Sequence, residues 1–174
     1  IHYCVAGQRN VWIAQREGRA KDGVDRTETA LLKMLGMARR PESLGQALKP
    51  LHIVPVSISY EFDPCDAMKG SELYQRKELG SYQKDEQSDI NSIVTGMVGF
   101  KGRVHVAFGE ELALDSDDDE VIAAQIDQQI IHNYQMQQTN LLALKQLRAQ
   151  DPDYVPALST DGEQLLDAFG ADAD

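Results

Sequence analysis

Leu51-His52-Ile53-Val54-Pro55-Val56-Ser57-Ile58-Ser59-Tyr60 has the composition of a β-strand, and the fold class follows from it. The run is rich in β-branched residues and ends near the turn-forming pair Asp63-Pro64. Pro55 has no N–H to give to a ladder, which places it at an edge, a bulge or the end of pairing. Upstream, Val11-Trp12-Ile13-Ala14 is a second short run of strand type, bounded by polar residues. Downstream, Gly102 to Phe108 alternates and closes at Gly109, a third strand. Helices are predicted around these runs. Ile1–Ala6 looks like the tail of one, with Gly7 as its cap. Glu28 to Ala38 carries Leu31, Leu32, Met34 and Leu35, with Asp25 or Thr27 available as cap, and Pro41 forbids simple continuation. Further helices are expected over 66–80 and Asp85–Met97.

Ser116 followed by Asp117, Asp118 and Asp119 marks another helix start, where carboxylates complement the helix dipole. Helical periodicity then runs to Tyr134, again over Thr139–Gln150, and briefly over Thr160–Phe169. Strands alternating with helices predict an α/β fold with a small, mostly parallel sheet and flanking helices over 1–111. An acidic helical extension over 112–174 is expected to pack on it.

The 174 residues are enough for one sizeable core. Lysine and arginine number 17 against 28 acidic residues, a net charge of -11, which argues against non-specific nucleic-acid binding. The charge is unevenly spread: residues 1–60 are net +4, 61–110 net -3 and 111–174 net -12. An anionic ligand is therefore expected in the N-terminal third, and the C-terminal third should be repelled by anionic lipid. No apolar run approaches the roughly 18 residues of a membrane-spanning helix. Cys4 and Cys65 form no Cys-x-x-Cys motif and are expected to be free thiols. The chain opens at Ile1 rather than methionine, so a longer parent is expected, possible homo-oligomer included.

Gln15-Arg16-Glu17-Gly18-Arg19-Ala20-Lys21-Asp22-Gly23 leaves the first strand run and precedes a helix. Arg16, Arg19, Lys21 and Arg26 gather four cations in eleven residues. Guanidinium groups bind phosphate through a bidentate fork, and Gly18 lets backbone approach a ligand closely. The segment suits a phosphate monoester or a developing oxyanion. The plainer alternative is a solvated loop with local ion pairs to Glu17, Asp22 and Asp25. A Walker loop is absent, and the glycines at 96, 99 and 102 do not match a dinucleotide fingerprint. Asp115, Asp117 and Asp119 mimic a calcium loop, but Glu120 and Ile126 occupy its glycine and glutamate positions. His2, His52, His105 and His132 are too scattered for a metal motif, and no metal is expected.

Val11-Trp12-Ile13-Ala14-Gln15-Arg16-Glu17-Gly18-Arg19-Ala20-Lys21-Asp22-Gly23 resembles the third conserved block of the glycerolipid acyltransferases, the glycerol-3-phosphate and lysophosphatidate acyltransferases. Ile53-Val54-Pro55-Val56-Ser57-Ile58 resembles their fourth block, and Val104-His105-Val106-Ala107-Phe108-Gly109-Glu110 their closing strand. The three matches come in the family order and cover residues 1–111. In either register of the loop, Arg19 takes the place of the family arginine associated with the substrate phosphate.

The resemblance implies transfer of a fatty acyl group from a coenzyme A or acyl carrier protein thioester to a hydroxyl of a phosphate-bearing, glycerol-type acceptor. It implies substrate-binding roles for Arg16, Glu17, Gly18, Arg19, Lys21 and Pro55. No bound cofactor is implied; acyl-CoA or acyl-ACP would be the co-substrate. The family's catalytic His-x-x-x-x-Asp block is absent, since the residues five after the four histidines are Gly7, Ser57, Glu110 and Gln137. The general base is thus expected upstream of Ile1, together with segments that hold the parent on the cytoplasmic membrane face. The competing expectation is a non-catalytic α/β module that binds a phosphorylated ligand and docks a partner on its C-terminal helices.

Overall fold

A computed structural model describes residues 1–15, 26–81 and 86–151. Seven α-helices and two strands occur among them: α1 (His2–Ala6), α2 (Thr29–Gly36), α3 (Leu44–Leu48), β1 (Val56–Tyr60), α4 (Asp66–Leu79), α5 (Glu86–Val98), β2 (Val104–Phe108), α6 (Asp119–His132) and α7 (Gln138–Gln150). Short 3-10 turns follow α2 at Met37–Arg39 and α3 at Lys49–Leu51. The helix expected at 160–169 lies outside the described residues. The chain divides into two compact units, Ile1–Ser57 with Val106–Tyr134 and Ile58–His105 with Gln135–Asp174.

The first unit is built on a leucine and isoleucine core. α2 contributes Leu32, with Leu35 against the cluster; α6 contributes Ile122, Ala123 and Ile126 at helical spacing. Leu48, Leu51, Leu112 and Leu114 complete it. α2 and α3 lie close because position 36 is glycine; a Cβ there would stand 2.9 Å from the Leu44 side chain. α6 is therefore a central helix of this unit, and its acidic first turn serves the packing. Asp118 caps it by accepting from the Glu120 and Val121 N–H groups. Asp117 accepts the Gly45 N–H at 2.8 Å, and Asp119 pairs with Lys33 at 2.9 Å.

The second unit holds α4, α5 and α7. α7 buries Leu141 and Leu144, and its N-terminus carries a capping box between Gln137 and Asn140. Thr139 hydrogen-bonds to the Glu61 carbonyl, and Gln137 reaches the buried Ser59 hydroxyl at 3.3 Å. Buried Glu72 is held by Arg76 at 2.8 Å.

Two expectations are overturned. Val11-Trp12-Ile13-Ala14 forms no strand; Val11, Trp12 and Ile13 are exposed and have no ladder partner among the described residues. A strand-type sequence becomes a strand only when a neighbouring edge takes up its N–H and C=O groups. The sheet is also not parallel. It has two strands, and their pairing is antiparallel: Gly109 N–H donates to the Pro55 carbonyl (2.8 Å), Glu61 N–H to Arg103 (2.8 Å) and Phe62 N–H to Lys101 (3.0 Å).

The physical reason lies in the connection. The turn before α4 meets the end of α5: Cys65 Sγ–H donates to the Ser92 carbonyl at 3.4 Å, and a Cβ at Gly99 would stand 2.4 Å from Pro64 Cβ. The chain goes out along α4 and comes back along α5. A two-helix excursion returns it to the end of β1 where it left, so β2 must run the other way. A parallel pair needs a crossover that ends at the far side.

Candidate functional site

Within the first unit, α6 holds Thr27, just beyond the basic segment, and Glu110, at the end of the third strand run. Asp127 Oδ1 accepts both the Thr27 N–H (2.9 Å) and the Thr27 hydroxyl (2.6 Å). Two residues along the helix, Gln129 Oε1 accepts the Glu110 N–H at 2.7 Å. Neighbouring Gly109 donates to the Pro55 carbonyl, and Leu112 N–H donates to the Ile53 carbonyl at 2.9 Å. A Cβ at Gly109 would fall 2.2 Å from Gln129 Oε1, so a side chain there would displace the Gln129 amide from this contact. α6 thus fastens the chain just after the basic segment and the end of the strand run Phe108-Gly109-Glu110, and Gly109 in turn holds the Pro55 carbonyl.

Arg16, Glu17, Gly18, Arg19 and Lys21 lie outside the described residues. What flanks them is fixed. Glu28 N–H donates to the Gln15 carbonyl at 2.9 Å, so the chain on either side of the segment is drawn together, and buried Thr27 anchors that neck to Asp127. Pro55 is buried, with its carbonyl engaged by Gly109. Of the six residues proposed from sequence, it alone is described.

Sequence inspection did not anticipate Asp127 and Gln129. Each is a polar residue in a helix, with no spacing that ties it to partners as far away as Thr27. A second unanticipated feature is His52, a non-glycine residue at φ 49, whose Nδ1 lies 2.9 Å from Glu111 Oε1. Both side chains are more than half exposed, and the pair stands on an open surface.

Several other charged groups among the described residues pair with one another. Asp119 raises the pKa of Lys33, and Lys33 lowers that of Asp119, through their hydrogen bond and ion pair. Glu61 is lowered by the Arg103 backbone N–H and then by its guanidinium. Glu42 is lowered by Arg39, which it raises in turn. No cluster of His, Cys, Asp and Glu able to hold a metal occurs among the described residues. Asp115, Asp117 and Asp119 form no calcium loop, since Asp117 and Asp119 are spent on Gly45 and Lys33. Among the described residues, neither Cys4 nor Cys65 is in a disulfide. An open cleft of about 510 Å³ in the second unit is lined by Arg103, Val104, His105 and the Gln135–Gln138 segment, with the Arg103 guanidinium already forked onto Glu61. No helix among the described residues is long and apolar enough to cross a membrane. No family model, curated protein or solved structure matches this chain.

Proposed function

We propose that this chain is the C-terminal part of an acyltransferase that moves a fatty acyl group from a thioester to the hydroxyl of a phosphate-bearing, glycerol-type acceptor, as in phospholipid synthesis. The reading is carried by the three blocks that resemble the glycerolipid acyltransferases in sequence order. Two of them are tied together, Gly109 donating to the Pro55 carbonyl, while α6 holds Glu110 through Gln129 and holds Thr27, four residues beyond the first block, through Asp127. Arg19, with Arg16 and Lys21, is assigned the acceptor phosphate; Gly18 gives it room, and Glu17 and the Pro55 strand border the acceptor or acyl group. The carrier is coenzyme A or acyl carrier protein. The histidine that takes the acceptor proton, and the aspartate that orients it, belong to the parent protein, as does its attachment to the cytoplasmic membrane face.

The expected outcome is therefore asymmetric. The 174-residue chain alone should not cleave an acyl thioester, because loss of a general base typically costs about 10²- to 10⁴-fold. In the parent, Arg19→Ala should raise the KM for a phosphorylated acceptor roughly 10- to 100-fold while leaving that for the thioester unchanged. That range corresponds to a charge-assisted contact of about 1.5–3 kcal/mol. Arg19→Lys should recover part of the loss, since it keeps the charge without the planar fork. Unchanged acceptor kinetics in Arg19→Ala would remove the phosphate role. The absence of a His-x-x-x-x-Asp block from the chain favours a second reading, a non-catalytic module that binds a phosphorylated ligand. A parent that also lacks the block would decide for it.

A further inference from the structure

α5 is amphipathic with its polarity reversed. Ile90, Ile93, Val94 and Met97 recur at the spacing of one helix face, and all four are exposed, Ile90 at 63% and Met97 at 68%. Val98 and Phe100 extend the patch past the helix end at 79% and 77% exposure. The covered side carries Ser92, Thr95, Gly96 and Gly99, small residues in place of a core stripe. That side is pinned by the Cys65 contact to the Ser92 carbonyl and by the close approach of Gly99 to Pro64. Just past the helix end, a Cβ at Gly99 would stand 2.4 Å from Pro64 Cβ, so the close approach on this side suits small residues. The exposed stripe is thus a consequence of how α5 packs.

The chemistry around the stripe indicates what covers it. From Ile90 to Phe100 there is no ionised side chain, in a chain of which 26% is charged. At the C-terminal edge, Lys101 Nζ sits on the Met97 and Gly99 carbonyls, at 3.3 and 3.1 Å, and so fixes a cation beside the apolar patch. Phe100 rests on Phe62 with ring centroids 5.7 Å apart. An apolar helix face, an aromatic edge and a lysine beside it match a helix lying in a membrane interface, with the ammonium at headgroup phosphates. The net charge of -11 opposes both a second copy and an anionic bilayer, whereas a zwitterionic bilayer offers phosphate to Lys101 without net repulsion. We propose that α5 docks this protein on an electrically neutral phospholipid surface along Ile90, Ile93, Val94, Met97, Val98 and Phe100. The inference goes beyond the acyltransferase reading and does not rest on it, since lipid docking needs neither the basic segment nor any chemistry.

The test is co-sedimentation of the 174-residue protein with phosphatidylcholine vesicles at low and at high salt, beside its sedimentation velocity without lipid. The wild-type protein should enter the pellet as vesicles increase, and high salt should not release it. Ile93→Gln with Met97→Gln keeps helix propensity at two exposed positions. Each change should lower the partition coefficient roughly tenfold, with the circular dichroism unchanged. Lys101→Gln should have a smaller effect that disappears at high salt. A wild-type protein that stays in the supernatant overturns the proposal, as does equal sedimentation of wild type and double variant. A lipid-free dimer that the double variant abolishes also overturns it, and assigns the stripe to a second copy.

Discussion

At the residue scale, Thr27 shows how a single hydroxyl decides local order. It is buried, and both its N–H and its Oγ1 are donated to one oxygen of Asp127. Thr27→Val keeps the side-chain shape and the backbone bond but deletes the donor. It should destabilise the protein by on the order of 1.5 kcal/mol in urea unfolding, with an unchanged slope. Amide exchange at Glu28, whose N–H closes the neck onto Gln15, should accelerate. Two carboxylates give a pH signature. Asp119 is lowered by Lys33, and Glu61 by the Arg103 backbone and then its guanidinium. A carboxylate with a lowered folded pKa contributes stability above its ordinary value and loses it as pH falls through the folded one. The thermal midpoint should therefore decline on acidification below about pH 4, and Asp119→Asn should flatten that decline. Lys33 is raised, so its share is complete below the ordinary lysine range and is lost as pH rises through the raised value.

Among the elements, α6 was readable in the sequence because its start is written in side-chain chemistry: Asp118 accepts from two orphan N–H groups of the first turn. Asp118→Ala should cost about 1 kcal/mol, measured as a lower denaturation midpoint. α4, α5, β2 and α7 were legible for a similar reason, since caps, breakers and apolar spacing are local. The segment 11–14 was not. Val11-Trp12-Ile13-Ala14 satisfies every local rule for a strand, yet a strand is a relation between two chains of backbone. The direction of β2 was equally hidden. Whether a connection ends where it began depends on how α4 and α5 lie together, which Pro64 and Gly99 settle at a distance of 35 residues in sequence.

For the whole molecule, each compact unit carries its own buried groups, Ile122 and its neighbours in one and Leu141 and Leu144 in the other. Ile122 is fully buried, so Ile122→Ala should cost about 2–5 kcal/mol. Hydrogen exchange should accelerate first in α2 and α6, the helices that share its cluster; equal acceleration in α7 would mean a single cooperative core. The acidic C-terminal third, expected from sequence as a helical extension packed on residues 1–111, supplies α6 to the first of these cores. Its aspartates are used as a cap, an acceptor for Gly45 and a partner for Lys33.

What the sequence determined by itself is what short-range chemistry fixes: where most helices begin and end, that Pro55 has no N–H to give to a ladder, that four cations fall within positions 16–26 and that the negative charge is concentrated toward the C-terminus. What only the tertiary structure decided is which of these local pieces meet. The antiparallel pairing, the anchoring of Thr27 and Glu110 on α6 and the outward face of α5 all arise from contacts between residues far apart in sequence. Periodicity marks which side of a helix is apolar, but close packing at Gly99 decides which side is buried. In α5 the two disagree, because the close approach to the Pro64–Cys65 turn suits a small-residue face.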